Sequence, residues 1–174
     1  MVESRRTGKP SPACTPATVV QSLVTLGSLD DLAQLFESVG GKDLYVRWSH
    51  GPHTDLQQGG TRPEVSRDGL TGVLLPGLSA NPLRVEPWWG DRPITLWLAR
   101  RLYDYRHLRE LRGPGVRPWV LVGTEIARGP DNEPLVVCDR PCAWVSERVL
   151  AEVESLIEDQ HSGEWGPLDR RSGH

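Results

Sequence analysis

Cysteine is too scarce in this chain to build a disulfide scaffold: the 174 residues hold three, Cys14, Cys138 and Cys142. Cys138-x-x-x-Cys142 also lacks the second pair of ligands that a structural zinc site requires, so no metal is expected. An odd cysteine count, with no apolar h-region after Met1, argues for reduced thiols in a cytoplasmic protein. No apolar run approaches the ~20 residues of a membrane span, so no membrane partner is expected. Lysine is nearly missing, with Lys9 and Lys42 the only two, and the formal net charge is -3 with a pI near 6.0. Non-specific nucleic-acid binding is therefore disfavoured as the main task, because neutralising phosphates needs a net basic face. The glycines scatter without the strand-to-helix context of a P-loop or a dinucleotide fingerprint, and no Gly-x-Ser-x-Gly elbow is present.

What remains is globular. Hydrophobic residues make up 37% and charged residues 25%, and the length suits one domain that buries its core without staples. Residues 1–15 are rich in Pro, Ser, Thr and Arg and predict a disordered tail; 16–160 predict a single domain and 161–174 a flexible, Gly-rich end. Seven tryptophans stand against one phenylalanine. They either fill a small core or, through Trp48, Trp88, Trp89 and Trp97, line an aromatic cleft.

Periodicity places the elements. Thr18 to Leu26 is apolar enough for a short helix or an extended segment. Ser28-Leu29-Asp30-Asp31 forms a capping box with Asp in the usual Glu/Gln position, opening a helix near 29–39 that Gly40-Gly41 stops. Leu44 to Trp48 alternates as a strand, with Tyr45 and Arg47 on the face opposite Leu44, Val46 and Trp48. A weakly periodic loop over 49–73 follows. Asp91-Arg92-Pro93 predicts the start of a long helix over 93–111, with Asp91 as N-cap. Strands at 119–127 and 135–137 flank Gly129-Pro130-Asp131-Asn132 and suit an antiparallel pair. Ser146 caps a last helix near 147–158. This order of elements predicts an α+β fold, a mixed or mostly antiparallel sheet with three packed helices, rather than a regular βαβ alternation.

Three polar residues stand out at strand ends or turns, where scaffolds present functional groups. Arg47 is an exposed edge residue, the ion-pair partner of a carboxylate, or an anion clamp, since its planar fork suits pyrophosphate or carboxylate. Ser79, in Gly77-Leu78-Ser79, either bonds the backbone of its turn or positions a ligand. Glu133, in Asp131-Asn132-Glu133-Pro134, is either a solvated charge or a group fixed by a stiff turn. His50-x-x-His53-x-Asp55 offers two imidazoles and a carboxylate, but Gly51-Pro52 between them favours a solvated loop over a metal site.

In the order Arg47, Ser79, Glu133 the three islands resemble the Arg-Ser-Glu core of the ADP-ribosyltransferase superfamily. The resemblance implies NAD as substrate: Arg47 would grip its pyrophosphate or ribose, and Ser79 would brace the Arg and the Glu. Glu133 would oppose the oxocarbenium-like charge as the nicotinamide–ribose bond breaks. Tyr45, Trp89 and Tyr103 would line or cover such a nucleotide pocket. The chain departs from that pattern where Trp48 follows the Arg in place of Gly, and where Ser79-Ala80-Asn81 stands for Ser-Thr-Ser. The stretch 44–157 also resembles an uncharacterised actinobacterial family of unknown function. A reading from another class stands beside the enzyme: a non-catalytic protein-binding or regulatory module. It would use the Trp88-Trp89 corner and the 49–73 loop to hold a protein partner.

Overall fold

A computed structural model describes residues 23–41, 43–56, 66–68 and 71–160. The elements run β1 (Val24–Leu26), α1 (Leu29–Ser38), β2 (Leu44–Ser49), α2 (Pro52–Asp55), β3 (Leu78–Ser79), β4 (Asn81–Pro82), α3 (Ile94–Asp104), α4 (Leu108–Arg112), β5 (Arg117–Arg128), β6 (Pro134–Val145) and α5 (Glu147–Glu158). A short 3-10 turn, Pro87–Trp89, leads into α3. The fold is α+β, with one mixed sheet of six strands among the described residues. Both expected tails and part of the 49–73 loop lie outside those residues.

The sheet curls until it closes. β2 pairs with β5 on one side and β4 on the other, β5 pairs with β6, and β6 pairs with β3. Because β3 and β4 are separated only by Ala80, the segment 78–82 bridges β6 back to β2. The ring has an inner face filled by Tyr45, Leu78, Ala80, Trp119, Leu121 and Val136. Its outer face carries Leu44, Val46, Val120, Ala143 and Val145 against the helices, with Leu32 of α1, Leu98 of α3 and Val149 of α5. Burial on both faces explains why β2 is buried along its whole length. The alternation in the sequence correctly separates two sets of side chains, but neither set faces water.

Local chemistry fixes the helix ends. The Ser28 hydroxyl accepts from the Asp31 amide at 3.1 Å, and the Asp31 carboxylate accepts from the Gly27 and Ser28 amides at 2.9 and 3.0 Å. The Gly27 amide first, and then the Ser28 groups, hold the Asp31 carboxyl below its ordinary pKa. A carboxyl depressed on folding stabilises above its unfolded pKa, so this cap is intact at neutral pH and weakens as acid protonates Asp31. Gly40 and Gly41, at φ +72° and +68°, end the first helix in the left-handed region. At the other end of the chain Ser146 accepts from the Val149 amide and starts α5.

Three expectations need correction. The single helix expected over 93–111 is two, α3 and α4, broken at Tyr105–His107. Arg106 lies over the Tyr103 ring at 3.5 Å, and both its amide and its guanidinium donate to the Tyr103 carbonyl. That carbonyl is thereby diverted from the bond a continuous helix would use. The helix also starts later, with Pro93 rather than Asp91 at the cap and no side-chain cap bond. Finally, β6 runs well past 137, through Asp139-Arg140-Pro141, because register shifts in the β5–β6 ladder accommodate the proline.

The described tryptophans are chiefly core. Trp48, Trp89, Trp97 and Trp119 are at most 2% exposed. Trp88, Trp89 and Trp97 pack edge to face with centroids 5.2–5.8 Å apart, and the Arg92 guanidinium caps the group 3.9 Å from the Trp89 ring.

Candidate functional site: an arginine-lined pocket

The inner face of β2 carries Tyr45, Arg47 and Ser49 in sequence, and only the first is apolar. Arg47 and Asp55 are each 7% exposed. A charge so far from water requires a partner, and the turn after β2 supplies it. Gly51-Pro52 opens the one-turn helix α2, which brings Asp55 back under the strand it has just left. Arg47 Nε and Nη2 donate to the two Asp55 oxygens at 2.6 and 3.0 Å, a bidentate fork. Its Nη1 donates to Ser66 Oγ at 2.9 Å and to the Ser79 carbonyl at 2.7 Å. Asp55 also accepts from the Ser49 hydroxyl and from Trp119 Nε1, so one buried carboxylate organises β2, α2 and β5. Ser66 Oγ in turn accepts from the Ser79 amide.

Beside this network lies a pocket of about 220 Å³, lined by Arg47, Ser49, His50, Thr54, Asp55, Ser66, Arg67, Arg112 and Val116. Arg112 reaches it from the end of α4, and its Nη1 donates to the Trp48 carbonyl at 2.6 Å. The residue as a whole is exposed, yet burial of its charged end pushes its pKa below the ordinary arginine value. The Arg47 charge adds to that depression, and Asp55 and Glu133 oppose it. Arg67 belongs to a small hairpin, bridged to Leu74, and donates to the Gly72 carbonyl at 3.0 Å.

Arg47 and Ser79 do meet, through the Ser79 carbonyl rather than its hydroxyl. Glu133 is not among the pocket's lining residues. Its carboxylate accepts from the Asp131 amide at 3.0 Å and folds over Gly129 in the β5–β6 turn, although its charge is felt at Arg112. Tyr45 shares the inner face with Arg47 and packs in the ring's core. Trp89 and Tyr103 lie with the helices on the outer side, in the other core cluster. The two described thiols offer little nucleophilic chemistry: burial pushes Cys138 up to about 12 and raises Cys142. Among the described residues no group of three or more His, Cys, Asp or Glu is placed to hold a metal, and no helix is long and apolar enough to cross a membrane.

A family model, described as a family of unknown function (DUF6098), matches residues 19–166. The chain belongs to this family. No curated protein and no solved structure matches it. The matched span includes the described pocket lining, from Arg47 through Val116.

Sequence reasoning allows Arg47 a carboxylate partner and sets Ser79 beside it, but does not single out Asp55 as that partner. Asp55 is the first carboxylate after Arg47 in the chain, and a strand arginine between apolar neighbours needs an acid within reach. That requirement was a usable signal. Arg112 and Ser66 gave none, because they arrive from elements distant in sequence.

Proposed function

We propose that this domain is a ligand-binding module whose pocket takes a compact oxyanion. One observation carries the reading: Arg47, Arg67 and Arg112 line the same pocket, and the only carboxylate among its described walls, Asp55, is already engaged by Arg47. The described walls therefore hold an excess of positive charge in a partly dry site, which an anion relieves. The Arg47–Asp55 pair is the fixed floor. Arg112 and Arg67, with the Thr54 hydroxyl and His50, supply the donors. A volume of about 220 Å³ is below the ~300–1,000 Å³ typical of pockets for drug-sized ligands, so an enclosed dinucleotide is too large and a phosphate-sized group fits.

Calorimetric titration with inorganic phosphate in a low-salt buffer tests this directly. The native protein should bind one equivalent, and affinity should fall as salt is added. Arg112→Ala should weaken binding about tenfold or more, the value of one lost charge-assisted hydrogen bond. Arg84→Ala, removing an exposed charge outside the pocket, should leave it unchanged. Equal affinity in the native protein and Arg112→Ala would contradict the reading.

NAD cleavage by Arg47, Ser79 and Glu133 is the second reading. It draws on the electrostatic reach of Glu133 to Arg112, and it requires Glu133 to release the Asp131 amide and turn toward the pocket. Nicotinamide release from NAD by the native protein, lost in Glu133→Gln, is the result it needs.

A further inference from the structure

The pocket opens beside a second feature that its own walls do not use. Ser49, a pocket residue, is the cross-strand partner of Arg117 at the start of β5, which puts their Cβ atoms roughly 5 Å apart. Arg117 is exposed, and its guanidinium lies over the Trp144 ring at 4.0 Å. Trp144 is itself half-buried on β6, two strands away from the pocket floor. It packs against the chain at Gly51, where a Cβ would run into the indole; Gly51 has φ +115°, a backbone that also excludes other residues. Gly51 lies between His50 and the α2 helix that carries Thr54 and Asp55, so the indole is pinned to the same turn that forms the pocket wall. The His50 ring borders Gly115, just before Arg117. Pocket and platform are thus neighbours in the fold.

The indole is held against Gly51, and the guanidinium of exposed Arg117 lies over its ring. A flat guanidinium is a stacking surface for another flat, electron-rich ring, because cation–π attraction and stacking act together. An aromatic base stacks on such groups without regard to its hydrogen-bonding edge.

Resting on the oxyanion reading above, we propose that the ligand is a phosphate carried by a molecule with a planar ring, the chemical class of nucleoside monophosphates. The phosphate enters the Arg112 pocket and the ring stacks on Arg117, backed by Trp144. The pocket supplies the anchor and the platform supplies the selection.

Calorimetry with three probes separates the two claims: inorganic phosphate, ribose 5-phosphate and adenosine 5′-monophosphate. The ring-bearing probe should bind the native protein about tenfold tighter than ribose 5-phosphate, the increment of one stacked base. In Arg117→Ala that ratio should collapse to about one. It should also collapse in Arg117→Lys, which keeps the charge and loses the plane. Comparing the ratio within each variant removes any general loss of charge or stability. A native ratio near one, with phosphate still bound, would overturn the platform and leave the oxyanion pocket standing. A native ratio of ten that persists in both variants would also overturn it. Failure of all three probes to bind would overturn the pocket and this inference together.

Discussion

Replacing Asp55 with alanine is expected to destabilise the domain by about 3–5 kcal/mol, the usual consequence of stranding one member of a buried ion pair. Arg47 would keep its place on β2, because the strand is buried along its length, but its Nε and Nη2 would lose both acceptors. Trp119 Nε1 would keep Ser49 Oγ at 2.8 Å, while the Ser49 hydroxyl would lose the oxygen it donates to. Such a loss is a large part of the ~5–15 kcal/mol that holds an ordinary domain together. Urea denaturation measures it. Removing both charges, with Arg47→Met and Asp55→Leu together, should recover much of the stability, because the desolvation cost disappears with the pair. A loss below about 1 kcal/mol in Asp55→Ala would mean that Arg47 finds water or another acid without cost, and that the floor of the pocket is not fixed.

The second large effect lies on the opposite side of the sheet. Trp97→Ala should cost about 3–5 kcal/mol, the range for truncating a buried aromatic. Trp97 is 1% exposed, its Nε1 donates to the Leu83 carbonyl at 2.8 Å, and its ring meets Trp88 and Trp89 edge to face. Truncation removes the packing and leaves the Leu83 carbonyl without that donor. Trp88→Ala, at a half-buried position, should cost clearly less. Thermal denaturation of both variants checks the order. If Trp97→Ala were near neutral, the tryptophan corner would be an adaptable surface instead of a core, and the protein-binding reading would gain ground.

The sequence made the fold legible where signals were local. The Ser28 capping box, the Gly40-Gly41 stop, the Ser146 cap and the two runs that pair as β5 and β6 are each written within a few residues. The closure of the ring is not local: β3 and β4 are two residues each, and what makes them strands is their pairing with β6 and β2. The break between α3 and α4 depends on an Arg106–Tyr103 contact that helical periodicity does not register. The same distinction governs the site. Arg47 was visible because an arginine interrupts an apolar strand. Its partners come from α2, Ser66 and β3, Arg112 joins the pocket from the end of α4, and only the fold gathers them.

The central claim is that the Arg47, Arg67 and Arg112 pocket holds an oxyanion. It is tested most directly by following backbone amide resonances while inorganic phosphate is titrated into the isotope-labelled native protein. The account predicts saturable shifts concentrated at Ser49–Asp55, Ser66–Asp68 and Arg112–Val116, with Trp97 and the α5 amides unmoved. Shifts spread evenly over surface arginines without saturation, or saturable shifts clustered elsewhere, would contradict it.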